Sequence, residues 1–192
     1  VKPLPLSYFD EYADDDVEDR SYKSNWRDYG FNRLEDYFLE LKSRYRPTPT
    51  TLLEIGSADG SVLRELRSRG IKVRGVEFNT DMYKQAGFDK SLISNADAYQ
   101  VLKAIQNDSY QCVYETAAQY IPEKLLRNYF REINRVVTTD LVVVLHTIDE
   151  DPKPHKHQVN HKSAKFWFDL IEECGFTRGN DANIPFWFTK DK

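Results

Sequence analysis

Between Phe31 and Arg46 the side chains Leu34, Tyr37, Phe38, Leu41 and Tyr45 recur at spacings of three and four, the period of one helix face. The stretch RPTPT then stops the helix, because proline lacks an amide donor and disfavours helix in the residue before it. After that punctuation, short apolar runs alternate with amphipathic ones. Thr51–Ile55 reads as a strand and Ser61–Arg69 as a helix closed by Gly70. Ile71–Glu77 is the next strand, followed by a helix over Thr80–Ala86 closed by Gly87. Ser91–Ser94 predicts a short strand and Ala98–Gln106 a helix. Gln111–Glu115 is again strand-like, and Pro122–Val137 a long helix with proline in its first turn, where a missing donor costs nothing. Leu141–His146 is the most apolar strand, and its lack of alternation implies burial on both faces. Ser163–Cys174 predicts a helix capped by Ser163 and ended by Gly175.

Strand and helix alternating this regularly imply a largely parallel sheet covered by helices on both faces. The last two strand candidates, Phe176–Arg178 and Phe186–Thr189, lack a helix-length connection, so they are expected to pair as an antiparallel hairpin at one edge. Residues 1–30 have no sustained period. They carry Tyr8, Phe9, Tyr12, Tyr22, Trp26 and Tyr29 among many acids, and read either as an extension that caps a substrate or as one whose rings pack it onto the sheet. The expected division is therefore an extension over 1–30 and a folded domain over 31–192.

Composition narrows the classes. The chain of 192 residues is 40% hydrophobic and 30% charged, as a single folded domain with a sizeable core would be. Net charge is −4, and seven carboxylates fall between Asp10 and Asp19, where they would repel a phosphate backbone. Arg64, Arg67 and Arg69 read as the solvated face of a helix. Nucleic acid is thus disfavoured as a partner. No apolar stretch approaches the roughly 18–20 residues a membrane span requires. The segment VKPLPLSYFDEY has neither the basic flank nor the apolar core of a signal peptide. Two cysteines, Cys112 and Cys174, are too few for a disulfide framework, and a reducing cytoplasmic setting is expected.

The stretch LLEIGSADGS, Leu52 to Ser61, lies where the first strand turns into a helix, the place where α/β sheets bind ligands. Glycines there permit a tight turn, and the helix offers free amide donors. Gly56 and Gly60 are four residues apart, whereas a dinucleotide fingerprint places its outer glycines five apart. No Gly-Lys-Ser/Thr follows, so a P-loop is excluded. Asp59 would stand beside the helix N-terminus and repel a pyrophosphate. An acidic loop, with Glu54 just ahead, suits a cationic ligand.

LLEIGSADG resembles the first motif of the class I S-adenosylmethionine-dependent methyltransferases, an acid-x-Gly-x-Gly-x-Gly. Later landmarks follow in the family's order. VRGVEFN is similar to the second motif, with Glu77 at the strand end 23 residues after Glu54. SNADAYQVL is similar to the third, and YQCVYETAAQY through LVVVLH to the fourth strand, its helix and the fifth strand. The resemblance covers about residues 30 to 190. It implies a three-layer Rossmann-like sandwich on a mostly parallel seven-stranded sheet, an S-adenosylmethionine cofactor, and methyl transfer. The departure is Ala58 in place of the middle glycine; alanine fits there if its φ stays negative.

The resemblance also assigns roles. Gly56, Ser57, Ala58 and Gly60 form the loop against the cofactor, with Glu54 orienting the loop or the ligand's amine. Glu77 is expected to accept from the ribose hydroxyls. Asp97 would accept from the adenine amine while Ala98 donates its backbone amide; Asp97 also fits a helix N-cap. Phe78 is placed against the adenine face or in the core. Tyr114 and Glu115 would border the methionine portion.

If the acceptor is a hydroxyl or an amine, a base must take its proton, and histidine titrates nearest neutrality. His146 at the end of the fifth strand, and His155 and His157 in the following loop, are the candidates. His155, His157 and His161 also have a metal-like spacing, but without carboxylates in a defined geometry no metal is expected. Phe166 and Trp167 read as core. YETAAQY lacks the Asp/Asn-Pro-Pro-aromatic turn of amino-methylating DNA enzymes, and neither cysteine follows a proline as in cytosine C5 enzymes. A sugar, nucleoside or amine remains as the acceptor class. The competing readings are a protein that keeps this fold without catalysis, such as a partner subunit, and an enzyme acting on RNA or protein.

Overall fold

The computed structural model describes residues 34–39, 41–44, 46–85, 90–150, 152–154, 158–179 and 186–191. The extension over 1–30 lies outside the described residues, as do His155 and His157. The strands are β1 (Thr51–Ile55), β2 (Lys72–Val76), β3 (Ile93–Ser94), β4 (Tyr110–Glu115), β5 (Val137–Val143), β6 (Phe176–Arg178) and β7 (Trp187–Lys190). The helices between them are α1 (Ser61–Ser68), α2 (Thr80–Gln85), α3 (Ala98–Ala104), α4 (Glu123–Val136) and α5 (Ala164–Glu172). Helical segments at 34–39 and 41–43 precede them.

All seven strands form one sheet in the order β3-β2-β1-β4-β5-β7-β6. The first five pair in parallel. β7 runs antiparallel to both β5 and β6, so the expected hairpin is present, with β7 inserted against β5 and β6 at the edge. Strand order reverses between β1 and β4, which opens a crevice beyond their carboxyl ends.

Alternation along the strands divides the core in two. Leu52, Cys112, Tyr114, Val142 and Trp187 face one layer, with Leu34, Tyr37 and Leu41 from the leading helical segments and Leu63 and Leu66 from α1. Leu53, Ile55, Val113, Leu141 and Phe188 face the other, packed by Leu102 of α3, Phe130 and Ile133 of α4, and Trp167 and Ile171 of α5. Each large aliphatic or aromatic side chain so buried contributes about 1.5–3 kcal/mol. Arg64, Arg67 and Arg69 lie exposed on α1 as expected, and Arg69 pairs with Glu35 and Glu65.

Most boundaries shift by one or two residues, and two of the differences bear on the site. Pro122 is the residue before α4 and not its first turn. β5 starts at Val137, directly after α4, and ends at Val143, so His146 lies three residues past the strand. The polar Thr138, Thr139 and Asp140 hide the start of the strand because two of the three side chains escape burial and the third is paired. Asp140 is buried on β5, accepting from Tyr37 Oη at 2.8 Å, Arg46 Nη2 at 2.7 Å and Trp187 Nε1 at 3.0 Å. It fastens the leading segment to β5 and β7.

Candidate functional site

The turn after β1 is built on β2. Gly56 and Ser57 both donate their amides to the Val76 carbonyl, at 2.9 and 3.1 Å. Gly56 takes φ +85, and a methyl group there would collide with Thr116 Oγ1. Thr116 in turn donates to the Ile55 carbonyl at 2.9 Å, so the exits of β1 and β4 are joined at the crevice. Gly60, also left-handed, ends the loop, and its amide donates to the Ser57 carbonyl at 2.8 Å. Asp59 stands at the N-terminus of α1, accepting from the Ser61 amide at 3.1 Å and the Ser61 hydroxyl at 2.6 Å.

Ala58 corrects one expectation: its φ is +46, not negative. That geometry lets its amide donate to Glu77 Oε2 at 2.7 Å. A hydrogen bond to a carboxylate is strong enough to offset the roughly 1–2 kcal/mol that a left-handed alanine costs.

Glu77 is buried and held by backbone donors. The Asn79 amide donates to its other oxygen at 2.6 Å, while Asn95 Nδ2 donates to its carbonyl at 2.8 Å. Burial pushes its carboxyl up from the ordinary value, and the amides of Asn79, Ala58 and Phe78 pull it back. Phe78 beside it is half-buried. Asp97 is the N-cap of α3, accepting from the Gln100 amide at 3.0 Å, and Ala98 is buried behind it. Through Glu77, Asn95 and Asp97 the ends of β2 and β3 form one polar rim.

Glu54, on β1 between Gly75 and Tyr114, is 3% exposed. Burial, and then the neighbouring carboxylates of Asp59 and Glu77, hold its carboxyl well above the usual range. Its Oε2 and the Ser57 hydroxyl are buried without hydrogen-bond partners among the described residues. A donor-bearing cation would satisfy both, which makes this end of the loop chemically suited to an amino-acid tail.

Tyr114 is fully buried in the layer of Leu52 and Trp187. Glu115, the last residue of β4, turns to the opposite layer. There Tyr129 Oη donates to its Oε1 at 2.9 Å and the Ala117 amide does so at 2.8 Å. Burial pushes this carboxyl up to about 7.

On the far side of the crevice Gln119 is the hub. Its Oε1 accepts from the His146 amide at 3.2 Å and from Gln158 Nε2 at 2.6 Å. Its carbonyl accepts from the amides of Val159 and Asn160, both at 3.1 Å. Asn160 Nδ2 donates to the Ile121 carbonyl. The segment after β5 is thereby tied to the turn after β4. His146 stacks on His161 with ring centroids 6.3 Å apart. Trp167 is fully buried and Phe166 packs against the same core, as expected.

Sequence reasoning passed over Asn79, Asn95, Thr116 and Gln119. Asn79 was detectable, since its Oδ1 caps α2 by accepting from the Asp81 and Met82 amides at 2.9 and 3.2 Å. The other three act through residues distant in sequence and carry no local signature. Among the described residues there is no cluster of three or more potential metal ligands, and no helix long and apolar enough to cross a membrane.

No protein-family profile matches the chain, and no curated protein does. Many solved structures share its architecture. An S-adenosylmethionine-dependent methyltransferase from Archaeoglobus fulgidus superposes with TM-score 0.60 at 20% identity, over 79% of this chain and 69% of that one. A chain in the complex of the Haloferax volcanii Trm112 methyltransferase activator with a methyltransferase gives 0.65 at 17% identity, over 90% and 77%. Phosphoethanolamine N-methyltransferase 2 of Haemonchus contortus, with phosphomonomethylethanolamine and S-adenosylhomocysteine, gives 0.55 at 19% identity. That match covers 73% of this chain but 37% of the larger enzyme. The fold is that of the class I S-adenosylmethionine-dependent methyltransferases. At these identities the likeness defines architecture, and the reaction must be argued from the site.

Proposed function

We propose that this protein is an S-adenosylmethionine-dependent methyltransferase acting on a small polar acceptor, a sugar, a nucleoside or an amine. The observation that carries the reading is the loop of Gly56 to Gly60, anchored on the buried carboxylate of Glu77 and facing a second buried acid, Glu54. Three backbone amides, of Ala58, Asn79 and Phe78, bond the Glu77 carboxylate, and of its roughly four acceptor sites this leaves one for a ribose hydroxyl. Asp97 and the Ala98 amide serve the adenine edge, and Phe78 its face. Ser57 and Glu54 receive the amino-acid tail at the exits of β1 and β4, the strand that ends in Tyr114 and Glu115.

Bound S-adenosylmethionine supplies an already activated methyl group on its sulfonium. What remains for the protein is alignment and the acceptor's proton. His146, held at the crevice by Gln119, is the base this reading favours, with His155 and His157 as alternatives in the same loop. The acidic aromatic extension over 1–30 is read as the substrate cap.

The test is release of S-adenosylhomocysteine against panels of sugars, nucleosides, small amines and RNA. Turnover on a small molecule is expected, with loss of turnover in His146→Ala. Turnover on RNA alone would overturn the acceptor class, and a protein that binds the cofactor but turns over nothing would favour a partner subunit.

A further inference from the structure

Among the described residues, Glu54 sits among like charges with no counter-charge. On its own strand and the two beside it, its neighbours across the sheet are Gly75 of β2, which has no side chain, and Tyr114 of β4. The charged groups that bear on it are Asp59 from the loop and Glu77 from the exit of β2, both acidic. No lysine or arginine among the described residues contributes to holding it. Ser57 leans over Gly75, where a methyl group would stand 2.8 Å from its hydroxyl oxygen. That hydroxyl and Glu54 Oε2 are both buried, and among the described residues neither has a hydrogen-bond partner. A buried carboxylate with one oxygen unpaired and two acidic neighbours is far less stable than the neutral acid.

We propose that Glu54 couples ligand capture to proton release: its carboxyl keeps a proton while the loop is empty and gives it to solvent when a cationic amine arrives beside Ser57. The inference rests on the reading that this loop binds S-adenosylmethionine. No covalent bond changes; Glu54 loses H⁺ to water, and the ammonium replaces it as counter-charge. The sign follows. Because the empty protein holds the proton more tightly than the complex, binding weakens as pH falls, by up to about tenfold per pH unit.

The experiment is calorimetric titration with S-adenosylhomocysteine, which carries the same amine, at about pH 6.5 in phosphate and in Tris, where proton uptake by buffer releases very different heats. The wild type is expected to give different heats in the two buffers, equivalent to release of up to about one proton. Glu54→Gln should bind with equal heats in both, whereas Glu77→Gln should bind more weakly and still release the proton. In the infrared difference spectrum of the wild type, a protonated-carboxyl band should vanish on binding. This second reading decides the matter even if Glu54→Gln does not fold. Binding with equal heats in wild type and no loss of that band would overturn the inference and leave the cofactor reading intact. Absence of binding by both S-adenosylhomocysteine and S-adenosylmethionine would overturn the two together.

Discussion

The Ala58 amide donates to Glu77 Oε2 over 2.7 Å, and this bond makes the loop after β1 and the exit of β2 one unit. It explains why a residue with a side chain holds a left-handed φ there. On the proposed reading Glu77 then has two tasks, shaping the loop and accepting from the ribose.

Removing that carboxylate should therefore weaken cofactor binding on both counts. Glu77→Ala is expected to lower affinity for S-adenosylmethionine by about 10–100-fold, the range for losing hydrogen bonds to a charged group. Calorimetry on the folded variant checks it; an unchanged constant would refute the ribose role.

Ala58 offers a test with opposite signs. In an ordinary loop Ala→Gly destabilises by about 0.5–1 kcal/mol, but at a left-handed φ glycine relieves strain. Ala58→Gly is expected to raise Tm by about 2–4 °C, and a fall of that size would contradict the observed backbone.

Glu115 predicts a pH dependence. Its carboxyl is raised from 4.5 to about 7 by burial, against the pull of Tyr129 and the Ala117 and Ala118 amides. As pH rises from about 4.5 to 7 the unfolded chain ionises while the folded protein keeps the proton, so this group's contribution to stability falls by about 3 kcal/mol and then levels. Glu115→Gln should remove that part of the slope in urea unfolding curves taken across the range. An unaltered slope would mean that Glu115 is ionised in the fold.

Asp140 gives the largest expected loss of stability. Asp140→Ala strands the Arg46 guanidinium, the Tyr37 hydroxyl and the Trp187 indole together, and should cost about 3–5 kcal/mol in chemical unfolding. Tyr37→Phe removes one donor and should cost about 1 kcal/mol. A loss below about 1 kcal/mol for Asp140→Ala would reduce the cluster to a surface pair.

Much of the architecture was legible because it is written in local pattern. Apolar strands, glycine stops and the Ser163 cap placed the α/β order, and the spacing of Gly56 and Gly60 with Glu54 ahead pointed to the loop. The illegible parts depend on contacts made only in the folded chain. Asp140 carries no local signal, because its partners Tyr37, 103 residues away, and Trp187 meet it only in the folded chain. Glu115 reads as a residue at the end of a strand, and its bond with Tyr129, 14 positions on, is made only when α4 packs on the sheet. Ala58 reads as a residue obliged to keep a negative φ, because the carboxylate that draws its amide lies 19 positions ahead.

The most direct test of the account is a crystal structure with S-adenosylhomocysteine. The account predicts the ribose at Glu77, the adenine between Phe78 and the Asp97–Ala98 turn, and the amino-acid tail at Ser57 and Glu54. A nucleoside bound away from the loop of Gly56 to Gly60, or a crystal soaked at saturating ligand with that loop unchanged and empty, would contradict it.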